Sequence, residues 1–192
     1  FRLGTVGDWL VDGDAFAAAS HRPGDFVVGA AGEPAVRVLG EGGLHSALLS
    51  RRLQGAIRSQ TFVLSNRFLH FLAAGRDARF NVVVDNFVMI QDPIYGGLRR
   101  VLASDEPAWI TVDVERWIGH RAYVEFLDLT SGDLAAGGRP RGYPVNGWVA
   151  VRRVIASDER TPPADAAPRW TPDLPPPMSP ACKSSAICLP AR

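Results

Sequence analysis

The runs FNVVVDNFVM (residues 80–89), WITVDV (109–114) and WIGHRAYVEFLD (117–128) decide how this chain is read. Valine, isoleucine and aromatic residues fill them, and Gly, Pro and Asp stand between them, which is the composition of β-strands separated by turns. Strand side chains point to opposite faces in alternation, so each run can be sorted by parity. In the third run Ala122, Val124 and Phe126 share one face while Arg121, Tyr123 and Glu125 share the other. In the second, Ile110, Val112 and Val114 oppose Trp109, Thr111 and Asp113. Two successive half-buried strands joined by a short polar link predict an antiparallel sandwich.

Working outward, residues 61–64 and 68–72 read as further strands, the latter apolar on both sides apart from His70 and therefore interior. The last strand spans 148–155, with Val149 and Val151 alternating against Ala150 and Arg152. Residues 1–43 set Trp9, Phe16, Phe26 and Val27 among many Gly, Asp and Pro, which predicts short strands and long loops; Ala15 to Ser20 offers one helical turn at most. Between 129 and 147 lies a Gly- and Arg-rich loop that is long for a hairpin connection. From 161 to 180 nearly every second or third residue is Pro, the composition of a semi-extended linker. The expected organisation is a β-sandwich domain over 1–158 and a Pro-rich tail over 159–192.

The 192 residues suffice for one sizeable core. With 21 basic against 20 acidic residues there is no basic stripe to argue for nucleic acid and no acidic block to argue for disorder. Arginine carries nearly all the positive charge, Lys183 being the only lysine. No apolar run approaches the ~20 residues that span a bilayer as a helix. The chain opens on Phe1 in a run that already reads as strand and turn, so it is expected to be part of a longer polypeptide. Cys182 and Cys188 make neither a zinc site nor a haem-attachment motif; a local disulfide and two free thiols both stay open.

Taken in order, GAIRSQTFVL, FLHFLAAG, FNVVVDNF, WITVDVERWIGHRAYVEFLD and GWVAVRRVIASD resemble the galactose-binding-like β-sandwich domain of the planctomycetal cytochrome c-associated proteins. Similar strings occur in the non-catalytic sandwich modules of some fructan-cleaving glycoside hydrolases. The resemblance covers roughly 44–158 and is carried best by Trp117-Ile118-Gly119-His120-Arg121-Ala122-Tyr123, with Asp85 and Asp128 at strand ends. It implies a jelly-roll sandwich, an extracytoplasmic (periplasmic or secreted) setting and no activity of this domain itself. One departure stands out: where such domains commonly carry an acidic pair after the last inward valine, this chain has Arg152 and Arg153, which puts in doubt any role borrowed from those acids.

Sugar recognition needs a flat apolar surface against the ring and charged or amide groups for its hydroxyls. Tyr95, beside Gly96 and Gly97, and Tyr143 and Asn146, in the long loop, are the loop candidates; Trp148 and Asp128 flank that loop. The five converge at one rim if strands 121–128 and 148–155 are antiparallel neighbours. For Trp148 and Tyr95 packing ranks ahead of ligand contact, because large aromatics are mostly buried, and Trp109 and Trp117 read as staples across the sandwich. His120 sits in a turn near Glu125 and Asp113 without a Ser or Cys nucleophile motif, and His45 and His70 read as structural or solvated. Asp8, Asp12 and Asp14 offer hard oxygen ligands at a spacing that suits a structural calcium ion, set against the commoner case of turn-forming aspartates; no other cofactor is implied. Arg51, Arg52 and Arg58 suit either an acidic glycan or the solvated face of one strand.

These observations lead first to a non-catalytic carbohydrate-binding-like module of a larger extracytoplasmic protein, with a polysaccharide as partner. The alternative is a structural or docking domain that contacts other domains of the parent chain and takes no small ligand. An independent hydrolase is the least favoured reading.

Overall fold

The computed structural model describes residues 9–29, 35–40, 42–88, 95–128 and 147–163. The described residues are all-β, with eleven strands and only short 3-10 turns between them. These are β1 (Leu10–Gly13), β2 (Ser20–His21), β3 (Phe26–Val28), β4 (Val36–Val38), β5 (Gly43–His45), β6 (Gly55–Arg58), β7 (Phe62–Val63), β8 (Phe68–Val84), β9 (Arg99–Asp113), β10 (Arg121–Asp128) and β11 (Trp148–Ser157). All pairings are antiparallel.

The long hairpin β8–β9 is the spine, and it belongs to both layers of a strongly curled sandwich. Along one edge of β8 the first half pairs with β11, from Phe68↔Ser157 to Arg76↔Trp148, and the second half pairs with β10, from Ala78↔Asp128 to Val84↔Ala122. β10 then recruits β6 and β7, and β6 recruits β1; β11 recruits β5, and β5 recruits β2. Register shifts in the β8–β9 ladder fall between Ala73 and Gly75 and between Gly75 and Ala78, with Asp77 at φ 47°. Bulges of this kind bend a strand and change which face its residues take. The odd-numbered Leu69, Phe71 and Ala73 and the even-numbered Phe80, Val82 and Val84 therefore all join one core. Phe71 meets Phe80 across the bend with centroids 4.2 Å apart, and Phe126 of β10 closes the cluster edge-on to Phe71 at 6.2 Å.

The parity assigned to 121–128 holds, with Ala122, Val124 and Phe126 buried. Tyr123 on the opposite face is buried as well, beneath the guanidinium of Arg58 at 4.8 Å from its ring. Three expectations change. Residues 68–72 and 80–84 belong to a single bent strand. β9 begins ten residues earlier than Trp109, at Arg99. Finally β10 and β11 are not paired with each other: both hydrogen-bond to β8, on successive halves. A third register shift, between Val151 and Arg153 in the β8–β11 ladder, lets Val149, Val151 and Val154 all point inward and leaves Arg152 and Arg153 half-buried.

Asp158 is tied to the start of β8: its carboxylate accepts from Arg67 N–H and from Asn66 Nδ2, each at 3.1 Å. His70, fully buried, bonds Thr111 Oγ1 through Nδ1 at 2.9 Å and the Glu159 carbonyl through Nε2 at 3.0 Å. A carbonyl only accepts, so the proton sits on Nε2 and the histidine is a structural tie. The loop 129–146, with Tyr143 and Asn146, and the tail from 164 onward, with both cysteines, lie outside the described residues. No helix among the described residues is long and apolar enough to cross a membrane.

Candidate functional site

A separate two-stranded hairpin, β3–β4, folds back onto the sandwich. Val27 is buried and β3 packs against the turn at Ser46–Leu48, whereas Arg37, the register partner of Val27, reaches across to β9. Its guanidinium binds Glu106 at 2.6 Å. Between the hairpin and the bend of β9 runs a cleft of about 390 Å³. That is within the range of small-molecule sites. Ala74, Ala150, His45 and Trp148 line its inner part, and Arg37, Asp105, Glu106 and Arg152 its charged walls. Asp105 accepts from Nε and Nη2 of Arg76, and that partner keeps its carboxyl below the usual carboxylate range.

The inner wall is built by edge pairing. His45 ends β5 opposite Ala150, and Trp148 starts β11, so their rings stack at 4.9 Å with planes 14° apart. The guanidinium of Arg51 lies over the same indole at 5.8 Å. Ala47 N–H donates to His45 Nδ1 at 3.2 Å, which fixes that nitrogen as an acceptor. Burial first, then the nearby charge of His21, Arg51 and Arg37, brings the His45 pKa down to about 3, so the ring is neutral at physiological pH. His21, edge-on to His45 at 6.4 Å, is also shifted down by burial. Trp148 is only 2% exposed, so it braces the wall and offers no open face for stacking. Its Nε1 and the Nδ1 of His21 have no hydrogen-bond partner among the described residues.

Asp128 is fully buried where β10 ends, paired with Ala78, two residues along β8 from Arg76, the partner of Trp148. Neither carboxylate oxygen completes a hydrogen bond among the described residues. Burial pushes its pKa up to about 6; the Ser46 hydroxyl pulls the other way from a position that falls short of hydrogen-bond geometry. The same hydroxyl accepts from Val149 N–H at 3.0 Å.

The residues singled out in the sequence thus part company. Trp148 and Asp128 come together at the bend. Tyr95 lies at the far end of the sandwich, stacked on Trp117 and packed against Phe87, near the level where Val84 pairs with Ala122. Six residues of β8 separate Val84 from Ala78, on the order of 20 Å. The single rim therefore does not form around Tyr95, because β10 and β11 follow one another along β8 in place of lying side by side. Tyr143 and Asn146 lie outside the described residues, as does Asp8. Asp12 sits in β1 opposite Ala56 and Asp14 opens the turn after it, and no trio of His, Cys, Asp or Glu gathers for a metal among the described residues. Two of the three arginines part as well: Arg51 covers Trp148 and Arg58 covers Tyr123. His120 pairs with Asp85 at 2.6 Å, away from Glu125 and Asp113, and that bond holds the Asp85 carboxyl low. Arg37, Asp105, Glu106 and His21 were not foreseen.

Fold and cleft together define an all-β sandwich with a polar-walled groove beside one sheet edge. No family model matches the chain, and no curated protein matches it. Among solved structures it is similar to that of TmCBM61 in complex with beta-1,4-galactotriose, at a TM-score of 0.35 and 14% identity, over 80% of this chain and 92% of that one. A likeness this distant bears on neither ligand nor residues.

Proposed function

We propose that this chain is a non-catalytic carbohydrate-binding module of a larger extracytoplasmic protein, and that its saccharide lies in the cleft between the β3–β4 hairpin and β9. The observation that carries the reading is the pair of ion pairs on the cleft wall, Arg37–Glu106 and Arg76–Asp105, set beside a small apolar floor at Ala74 and Ala150. Charged groups already oriented by a partner keep lone pairs and N–H groups for hydroxyls, and charge-assisted bonds to hydroxyls are the strong ones. The same pairing argues against hydrolysis. A glycosidase general acid needs a raised pKa, and Asp105 has a lowered one. His45, neutral and engaged at Nδ1, faces no Ser or Cys among the cleft residues described. The likeness of 44–158 to the sandwich domains of planctomycetal cytochrome c-associated proteins belongs to this reading, as does the extracytoplasmic setting.

A glycan array followed by calorimetry on the full chain tests it. Neutral oligosaccharides should bind, and Asp105→Asn or Arg37→Ala should each weaken binding by roughly tenfold, a loss of about 1.4 kcal/mol. Absence of binding to any glycan at millimolar concentration, or binding that ignores both substitutions, would sink the proposal. The docking-domain alternative would then lead, since Phe26, Val28, Val36 and Val38 present a paired apolar face on the outside of the hairpin.

A further inference from the structure

The end of the sandwich away from the cleft carries three rings in a row. Phe87 follows β8, Tyr95 stands before β9, and Trp117 lies in the turn after β9. Phe87 and Tyr95 have centroids 4.7 Å apart, and Tyr95 and Trp117 are 6.0 Å apart with planes inclined by 24°. Tyr95 and Trp117 pack their inner edges on the core, but Phe87 is 46% exposed, and Val88 and Ile118, next to Phe87 and Trp117, are exposed too. Structural staples would be covered; this row is open on one side.

The last strand ends at the same place, just before Asp158. Asp158 accepts from Arg67 N–H, the Arg67 carbonyl accepts from Val114 N–H at 2.8 Å, and the Val114 carbonyl accepts from Trp117 N–H at 2.9 Å. Residue 158 is thus three hydrogen-bonded steps from the row, and the Pro-rich stretch begins at once beyond it. Within that stretch Pro172 and Pro175, and Pro177 and Pro180, are three residues apart. A polyproline II helix repeats every three residues, about 9 Å, so the two prolines of each pair lie on one face. Aromatic rings in a row are the surface on which that preformed, low-entropy ridge docks.

We propose that Phe87, Tyr95 and Trp117 form a docking surface for a polyproline II segment, and that its occupant is residues 161–180 of this chain. Tethering favours the chain's own segment over a free one, because a short linker raises its effective concentration to the millimolar range. The segment then sits against the sandwich and sets the direction in which the chain continues.

Nitroxide labels on Cys182 and Cys188 of the full chain, with amide spectra of the sandwich, test this. Amide signals around 87–88, 95–98 and 117–118 should be lost and should return when the nitroxide is reduced. A variant with Pro172→Ser, Pro175→Ser and Pro177→Ser keeps the tether and should keep those signals with the label oxidised, as should Phe87→Ser, whose cleft signals report an intact fold. Signal loss that persists in the proline variant means mere nearness and overturns the proposal. So does loss spread evenly over the surface, loss centred on the β3–β4 hairpin, or no loss at all.

Discussion

Two buried side chains near the bend titrate in opposite senses, and each leaves its own mark on stability. Asp128 has its pKa raised from 3.8 to about 6, so between those values the folded chain keeps a proton that the unfolded chain has lost. Its contribution is greatest at low pH, falls as pH rises through about 4 to 6, and stays low above. His45 has its pKa lowered from 6.5 to about 3, so its contribution is full above about pH 6.5 and is lost as pH falls towards 3. Between about pH 4 and 6 the two slopes oppose each other, so Asp128→Asn, which removes the charge and keeps the shape, should leave stability rising with pH there and gain roughly 3 kcal/mol at pH 7. His45→Asn retains an acceptor for the Ala47 amide and should remove the acid-side decline, at the expense of the stack on Trp148. Urea unfolding from pH 3 to 8 reads both; a wild-type slope in either variant would mean that the buried group is not the one titrating.

At the level of elements the bend in β8 decides the fold, and Gly75 decides the bend. A Cβ at Gly75 would stand 2.6 Å from the Trp148 carbonyl oxygen and 3.1 Å from Leu102 Cβ. The first is backbone of a paired strand and cannot swing away, so Gly75→Ala should cost roughly 1–3 kcal/mol by denaturant titration, as overpacking does. The same glycine hid the strand from sequence reading. Ala73, Ala74 and Gly75 have no alternation and a breaker at the end, so FLHFLAAG and FNVVV look like two strands where there is one. The alternation in 121–128 was legible because each residue there reports one face. That in 99–107 was not, because ASDEP at 103–107 has the composition of a turn, yet it lies in β9 and supplies Asp105 and Glu106 to the cleft. Arg37 was unreadable for a different reason: its strand has three residues, and its partner is 69 residues away in the chain. Strand-end positions, by contrast, pointed to Trp148 and Asp128, whose place at the bend follows from where β10 and β11 stop and start.

Across the whole molecule the curl of one hairpin sends two surfaces to opposite ends, and this separation has a measurable consequence. The cleft lies at the level of Ala74 and the ring row near Phe68 and Val84, six residues of β8 from the bend on either layer, or on the order of 20 Å. Sites that far apart with no shared partner couple weakly, and their mutational effects usually add to within about 0.5 kcal/mol. Arg37→Ala should therefore weaken saccharide binding and leave the label-induced signal loss at the rings unchanged, and Phe87→Ser should do the reverse. In the double variant the change in binding free energy should equal that of Arg37→Ala alone. A difference well beyond that margin would mean that the β8–β9 spine transmits between the two ends, and that ligand in the cleft and the position of the C-terminal segment are read by one another.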